Sequence, residues 1–445
     1  MKNYINVYIQ YLINKRISNF KCSNEDLNKI FNNTINSTFS NFFHFPTDCP
    51  QREKNGWTGD ANISMDQIMM NFNAKRNIKE WLRNIRKSQN EIGQIPGIIP
   101  TYDWGYQWGH GPAWDSALVE LPYRVYQYEN DTDIIYENAA FIFRYVQYLS
   151  KKINEKGLVE YGLGDWCEVE APAPDKYSNP LCVSDTLMSI NILRKAAVLF
   201  GVINYKEEKE FCEKYVSQLI NSFRKECIDD NLEVIGKTQT GQAMALYYGA
   251  FTKEEEQTAV DHLINYIRNE NDHFKVGVLG GRVLFRVLSK FGYNDLALKL
   301  ITNPTFPSYS WQLKFGATTL WESFYDMDEN FNMYSNMTFE VLSMNHHFWG
   351  DVSAYFIEYI LGLKINPELN DKLDVIIEPH LSKELTFAEG YHDFSFGRIY
   401  IKWEIKDSMF NINIQKPNNI NCKLILPNNQ KVNIIENDSN YKVIL

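Results

Sequence analysis

The segment Asp48-Cys49-Pro50-Gln51-Arg52-Glu53-Lys54-Asn55-Gly56-Trp57-Thr58-Gly59-Asp60 gathers three carboxylates, an arginine and a tryptophan around Pro50, Gly56 and Gly59. Pro and Gly at this density mark a loop between helices, whose charges are free to converge on a ligand. Glu53 follows Arg52 and stands four residues before Trp57. With like-charged neighbours and an aromatic wall, it suits a carboxyl that holds a proton and acts as general acid. Taken alone, the Arg-Glu pair also reads as an ordinary surface turn. Glu322 lies 269 positions further on, between Trp321 and Ser323 in the apolar run from Gly316 to Phe324. Burying an unpaired charge is costly, so this glutamate needs either hydrogen-bonding partners or a task. One protonated and one ionised carboxyl, on opposite sides of an anomeric carbon, are what hydrolysis of a glycosidic bond requires.

Three further loop clusters mix polar and aromatic residues. They are Trp104 to Asp115 with Trp108, His110 and Trp114, Gly162 to Glu170 with Asp165 and Trp166, and Ser343 to Asp351 with Asn345, His346, His347 and Trp349. Singly each reads as a structural corner. Together they supply aromatic faces for the apolar side of a sugar ring and Asp, Asn and His for its hydroxyls. His346 and His347 are adjacent, which is not metal-ligand spacing on a helix, so hydrogen bonding is the expected role of either. Gly277-Val278-Leu279-Gly280-Gly281 lacks the Lys-Ser/Thr of a phosphate loop and reads as the start of a helix.

The elements that position these loops are mainly helical. From residue 22 to about 363, amphipathic helices of two to five turns alternate with Gly/Pro/Trp-rich loops. The first opens on a capping box from Ser23 to Asp26 and carries Leu27, Ile30, Phe31 and Ile35; the second carries Met65, Ile68, Met69 and Phe72. Further segments are expected near 113–128, 132–153, 184–200, 204–225, 238–249, 253–269, 278–290, 293–302 and 344–362, with a poorly defined turn near 320–340. Gly201 and Gly362 mark helix stops. About a dozen helices with no strands between them and no fixed-period repeat favour a closed barrel of helical hairpins over a regular solenoid. After Asn366-Pro367 the period becomes two, and Leu373–Ile377, Gly397–Trp403, Phe410–Ile414 and Cys422–Leu426 read as strands of a small β-sandwich. Residues 5–20 add another strand or the remnant of a preceding domain. The resulting division is an N-terminal strand segment over 1–20, a helical barrel over 21–366 and a β-sandwich over 367–445.

Composition narrows the ligand. A chain of 445 residues, 44% hydrophobic and 22% charged, buries a large core. Its formal net charge of −10 argues against nucleic acid or an anionic membrane surface as partner. Seven scattered cysteines without a CxxC pair read as reduced thiols in a cytoplasmic protein, and they do not form a structural zinc site. The first ten residues alternate polar and apolar, unlike a signal peptide, and no apolar run reaches membrane-spanning length. Matches to Asn-x-Ser/Thr, such as Asn32-Asn33-Thr34, carry no glycosylation meaning in that compartment.

At these residues the chain resembles the bacterial α-L-rhamnosidases of glycoside hydrolase family 78. The matching motifs are Asp48 to Ala61, Pro112-Ala113-Trp114-Asp115-Ser116-Ala117, Gly164-Asp165-Trp166, Thr318-Thr319-Leu320-Trp321-Glu322 and Ser343-Met344-Asn345-His346, in family order. Ile377 to Leu381 and Gly397 to Trp403 resemble the family's C-terminal β domain. The resemblance implies a mainly α fold, an (α/α)6 barrel followed by a small antiparallel β-sandwich. It also implies catalysis without metal or cofactor and with inversion at the anomeric carbon. By position, it makes Glu53 the general acid and Glu322 the general base. Asp48 and Asp60 then hold sugar hydroxyls, Arg52, Trp57, Asp165 and His346 fall on substrate contacts, and Trp114, Trp166 and Trp321 on pocket aromatics facing the methyl of a 6-deoxy sugar. Asp115 is shifted by one position, since many members read Trp-Gly-Asp-Ala where this chain has Trp114-Asp115-Ser116-Ala117. At most one strand stands where the family usually carries large N-terminal β domains. The expected partner is a rhamnoside-like carbohydrate cleaved from the chain end, with no nucleic acid or membrane partner, and a homo-oligomer stays open. Other enzymes built on helical toroids (glucuronyl hydrolases, debranching hydrolases, disaccharide phosphorylases) and a non-catalytic sugar-binding relative remain alternatives.

Overall fold

A computed structural model describes residues 15–101, 104–328, 343–369, 373–427, 430–434 and 438–444. Strand β1 (Ser18–Cys22) leads into α1 (Glu25–Asn41), α2 (Thr58–Asn71), α3 (Lys75–Lys87), α4 (Pro112–Asp115), α5 (Ala117–Glu129), α6 (Asp133–Ser150) and α7 (Leu181–Val202). Then follow α8 (Lys206–Cys227), α9 (Gln239–Tyr247), α10 (Glu256–Asn269), α11 (Val278–Lys290), α12 (Asn294–Thr302), α13 (Tyr309–Lys314) and α14 (Asp351–Tyr355). A π-helical turn, Phe356–Leu361, continues α14 to the left-handed Gly362.

Burial separates these helices into two shells. Helix α2 is buried at every position and α9 at all but its last, the pattern of helices enclosed on all sides. Helix α8 buries only Cys212, Leu219, Phe223 and Cys227, and α3 only Ile78, Trp81, Leu82 and Ile85, as expected of helices with one face in water. The inner helices form a closed ring: α2 packs on α5, α5 on α7, α7 on α9, α9 on α11, α11 on α14, and α14 returns to α2. Helices α1, α3, α6, α8, α10 and α12 lie outside them, making six hairpins and the expected (α/α)6 barrel.

Charges inside the ring tie its helices together. Glu120 of α5 accepts from Arg124, from Lys195 of α7 and from Arg282 of α11, while Asp66 of α2 faces Arg124 and Arg282. Arg286 of α11 pairs with Asp351 and Glu358 near the chain's return to α2. Despite burial, Lys195 and the arginines hold Glu120, and the arginines hold Asp66, below the usual carboxylate range.

Strands β2 (Leu363–Ile365), β3 (Asp374–Ile377), β4 (Phe387–Phe394), β5 (Gly397–Lys406), β6 (Met409–Gln415), β7 (Asn421–Ile425), β8 (Lys431–Ile434) and β9 (Asp438–Ile444) complete the fold. One sheet runs β1-β4-β5-β6-β9 and the other β2-β3-β7-β8. All pairs are antiparallel except β3 with β7, so the sandwich is not wholly antiparallel as expected. The Trp403 indole, fully buried, donates to Ile360 O and His392 bonds Met70 O, joining the first sheet to the barrel.

Several local expectations change. The 20/21 boundary falls inside β1, which pairs with β4, and the second sheet begins at Leu363, ahead of residue 367. Residues 1–14, which carry most of the strand expected over 5–20, and residues 329–342, part of the expected turn, lie outside the described residues. Asn24 rather than Ser23 caps α1, its side chain accepting from the N–H groups of Asp26 and Leu27. Gly201 lies within α7, and Asn204 takes the left-handed position beyond it.

Candidate active site

The loop from Asp48 to Asp60 is tied down by its own side chains. Asp48 accepts the backbone N–H of Asn55 on one oxygen, at 2.7 Å, and the thiol of Cys49 on the other, at 2.6 Å. The Glu53 N–H donates to the same sulfur at 3.3 Å. Glu53 itself is exposed, and the Trp57 indole N–H donates to its Oε2 at 2.7 Å, which fixes the carboxylate against the ring. Helix α2 starts at Thr58, so Asp60 sits buried in its first turn.

Glu322 arrives on a separate frame. Its N–H donates to Ser343 O and its Oε2 accepts the Ser343 N–H, both at 2.8 Å, while Trp349 Nε1 donates to its carbonyl. Gln51 reaches across from the first loop to Ser343 Oγ at 2.7 Å, linking the two frames. Burial pushes the Glu322 carboxyl up to about 7, with the negative charges of Glu53 and Asp48 acting the same way; the Ser343 N–H and Arg52 oppose them.

Both glutamates line one cavity. Asp48, Asp60 and His346 supply polar groups to it. His346 Nε2 lies 3.2 Å from Asp60 Oδ1. Burial pushes Asp60 well above the usual carboxylate range and His346 well below the usual imidazole range. The neighbouring His347 is occupied on both ring nitrogens, by Ser64 Oγ and Thr47 O, and has a structural role.

Aromatic side chains close the wall. Trp57, Trp114 and Trp166 stand there as the sequence predicts, joined by Trp108, Leu163 and Phe348. Trp114 lies so close to α2 that a Cβ on Gly59 would come within 2.3 Å of its indole nitrogen; only glycine allows that approach. Trp108 belonged to a polar-aromatic cluster visible in sequence but had no feature separating it from Trp104.

Four expected site residues lie elsewhere. Asp165 is fully buried and accepts from the N–H groups of Gly277, Leu279 and Gly280 and from Thr240 Oγ1, so it anchors the start of α11 and has no oxygen left for a sugar. Asp115 is also fully buried; it accepts from the Gly111 N–H and faces the Tyr161 hydroxyl. Trp321 packs behind Glu322 against Tyr325 and Met327. Arg52 is exposed outside the wall and reaches the site through its charge on Glu322. Among the described residues, no group of three or more His, Cys, Asp and Glu could hold a metal ion, and no helix is long and apolar enough to cross a membrane.

A six-hairpin barrel with two glutamates lining one aromatic cavity defines a class, the six-hairpin glycosidases. The chain belongs to the bacterial α-L-rhamnosidase family: residues 15–360 match its six-hairpin glycosidase domain and residues 374–440 its C-terminal domain. An α-L-rhamnosidase of Alteromonas sp. is 30% identical over 452 residues, covering 99% of this chain and 48% of that protein. The α-L-rhamnosidase structure from Aspergillus terreus superposes with a TM-score of 0.88 at 26% identity, over 96% of this chain and 50% of that one. The one from Dictyoglomus thermophilum gives a TM-score of 0.84 at 26% identity, over 92% and 45%. The chain thus spans about half the length of the relatives it matches.

Proposed function

We propose that this chain is an exo-acting, inverting α-L-rhamnosidase that removes terminal α-L-rhamnosyl residues from glycosides. The observation that carries the proposal is the convergence of Glu53 and Glu322, far apart in sequence and held on two loops joined by Gln51, on one cavity. The relatives' names supply the sugar, since all are α-L-rhamnosidases. In this reading Glu53 gives its proton to the glycosidic oxygen as the bond to the anomeric carbon breaks. Glu322 takes a proton from the water that attacks the opposite face, so each turnover leaves the β sugar, a free alcohol and the two carboxyls with their protons exchanged. Asp48, Asp60 and His346 hold ring hydroxyls, and Trp57, Trp114 and Trp166 line the apolar face.

Incubation with an aryl α-L-rhamnoside, followed by NMR of the first-formed sugar, tests the mechanism. The β anomer is expected, and an initial α product overturns inversion. Glu53→Gln and Glu322→Gln should each lower turnover by roughly 10²–10⁴-fold with the thermal midpoint little changed. Full activity in either variant removes that residue from the mechanism.

A further inference from the structure

Two large indole rings next to the catalytic cavity are left in water: Trp104 is 44% exposed and Trp108 48%, whereas Trp114 in the same wall is 3% exposed. Apolar rings in water beside a cleft are a recurrent mark of a ligand surface. They also form a continuous path. Trp166 packs edge-on against Trp108 at 6.2 Å, Trp108 against Trp104 at 5.4 Å with the planes 60° apart, and Trp57 touches both, at 5.4 Å from Trp104 and 6.0 Å from Trp108. Trp57, Trp108 and Trp166 line the sugar cavity, and Trp104 lies outside it.

The path is built rather than loose. The Trp104 N–H donates to Thr101 Oγ1, whose hydroxyl donates back to Trp104 O, and the Gly97 N–H donates to Gly105 O. Gly109 has φ +77°, and a Cβ there would sit 2.9 Å from Trp57 and 3.4 Å from Trp104, so its lack of a side chain admits both rings.

We infer that Trp104 and Trp108 form a leaving-group subsite, a notch at the mouth of the cavity that takes a planar aromatic aglycone. The inference rests on the reading of Glu53 as general acid. The group that protonates the glycosidic oxygen must touch the first atom of the leaving group, and Glu53 is fixed by Trp57, the ring on which Trp104 packs. The body of the leaving group is thereby directed onto Trp104 and Trp108. Two indoles meeting at 60° stack a flat ring on one wall and meet its edge with the other. A second sugar would need several partners for its hydroxyls, and these two side chains offer only one N–H donor each.

The test compares p-nitrophenyl α-L-rhamnoside with a rhamnosyl-glucose disaccharide in the wild-type chain, Trp104→Ala and Trp104→Phe. In Trp104→Ala, kcat/KM for the aryl substrate relative to the disaccharide should fall about five- to tenfold, through KM, and return in Trp104→Phe. Inhibition by free L-rhamnose, which reports the sugar cavity, should keep its constant. An equal loss on both substrates, a loss confined to the disaccharide, or no loss on either overturns the subsite. If the wild-type chain cleaves neither rhamnoside, the proposed activity fails instead. The notch is then judged by p-nitrophenol quenching of tryptophan fluorescence, which should be present in the wild type and lost in Trp104→Ala; equal quenching in both overturns it.

Discussion

Burial raises the Glu322 carboxyl to about 7, close to neutrality. As a general base it works only when ionised, so the acidic limb of kcat/KM should rise with pH through about 7. An acid in that position would give the opposite slope, with activity falling through the same range. One of the charges that set this value, that of Arg52, lies outside the cavity wall. Arg52 is exposed and favours the ionised form of Glu322, so Arg52→Gln should move the acidic limb to higher pH. A limb that stays in place would remove Arg52 from the electrostatics of the site. At this scale much of the site was legible. Glu53 and Glu322 were visible as charges in unusual company, and the family motif paired them. What the sequence did not reveal is which oxygens are already taken: Asp165 sits in a matching motif, yet backbone N–H groups from a helix more than a hundred residues later occupy it.

That contact shows what the elements do for the site. Helix α11 begins at Val278 against the loop that carries Trp166, and Trp166 O in turn accepts the Val278 N–H. Asp165→Ala would leave three buried N–H groups and Thr240 unpaired, at about 1–3 kcal/mol for each group that finds no water. The expected result is a marked drop in the thermal midpoint, with KM for an aryl rhamnoside little changed at temperatures where the variant is folded. A direct sugar contact predicts the reverse, a raised KM in a stable protein. The helices themselves were mostly legible because each outer one carries an apolar stripe. Helix α3 is poorly marked in the sequence although Ile78, Trp81, Leu82 and Ile85 have the right spacing, because Ala74 before it gives no side-chain cap to mark a start. Short α13 offers too few periods to mark it in the sequence.

Over the whole molecule, closure of the ring is what brings residues 53 and 322 to one cavity, and only its general form could be read in advance. Helical hairpins without strands pointed to a barrel, but no local pattern announces that β1 pairs with β4 across most of the chain. Nor does any announce that Glu120 lies among three cations from three inner helices. Lys195 and two arginines hold Glu120 below the usual carboxylate range against its burial, while burial and the positive charge of Arg124 push the Lys195 ammonium down to about 7. Removing the acid strands these buried cations, which is worse than never having had the pair. Glu120→Gln should therefore cost about 3–5 kcal/mol in denaturant unfolding. The exposed pair Arg83–Glu80 sets the contrast, with Glu80→Gln costing about 0–1 kcal/mol. Because Glu120 is held below the usual carboxylate range when folded, its contribution is complete above that range and lost as pH falls through the lowered value. The gap in stability between wild type and Glu120→Gln should accordingly shrink in acid. A gap that stays constant down to the acid limit of folding would mean that packing, not charge, closes the ring at this position.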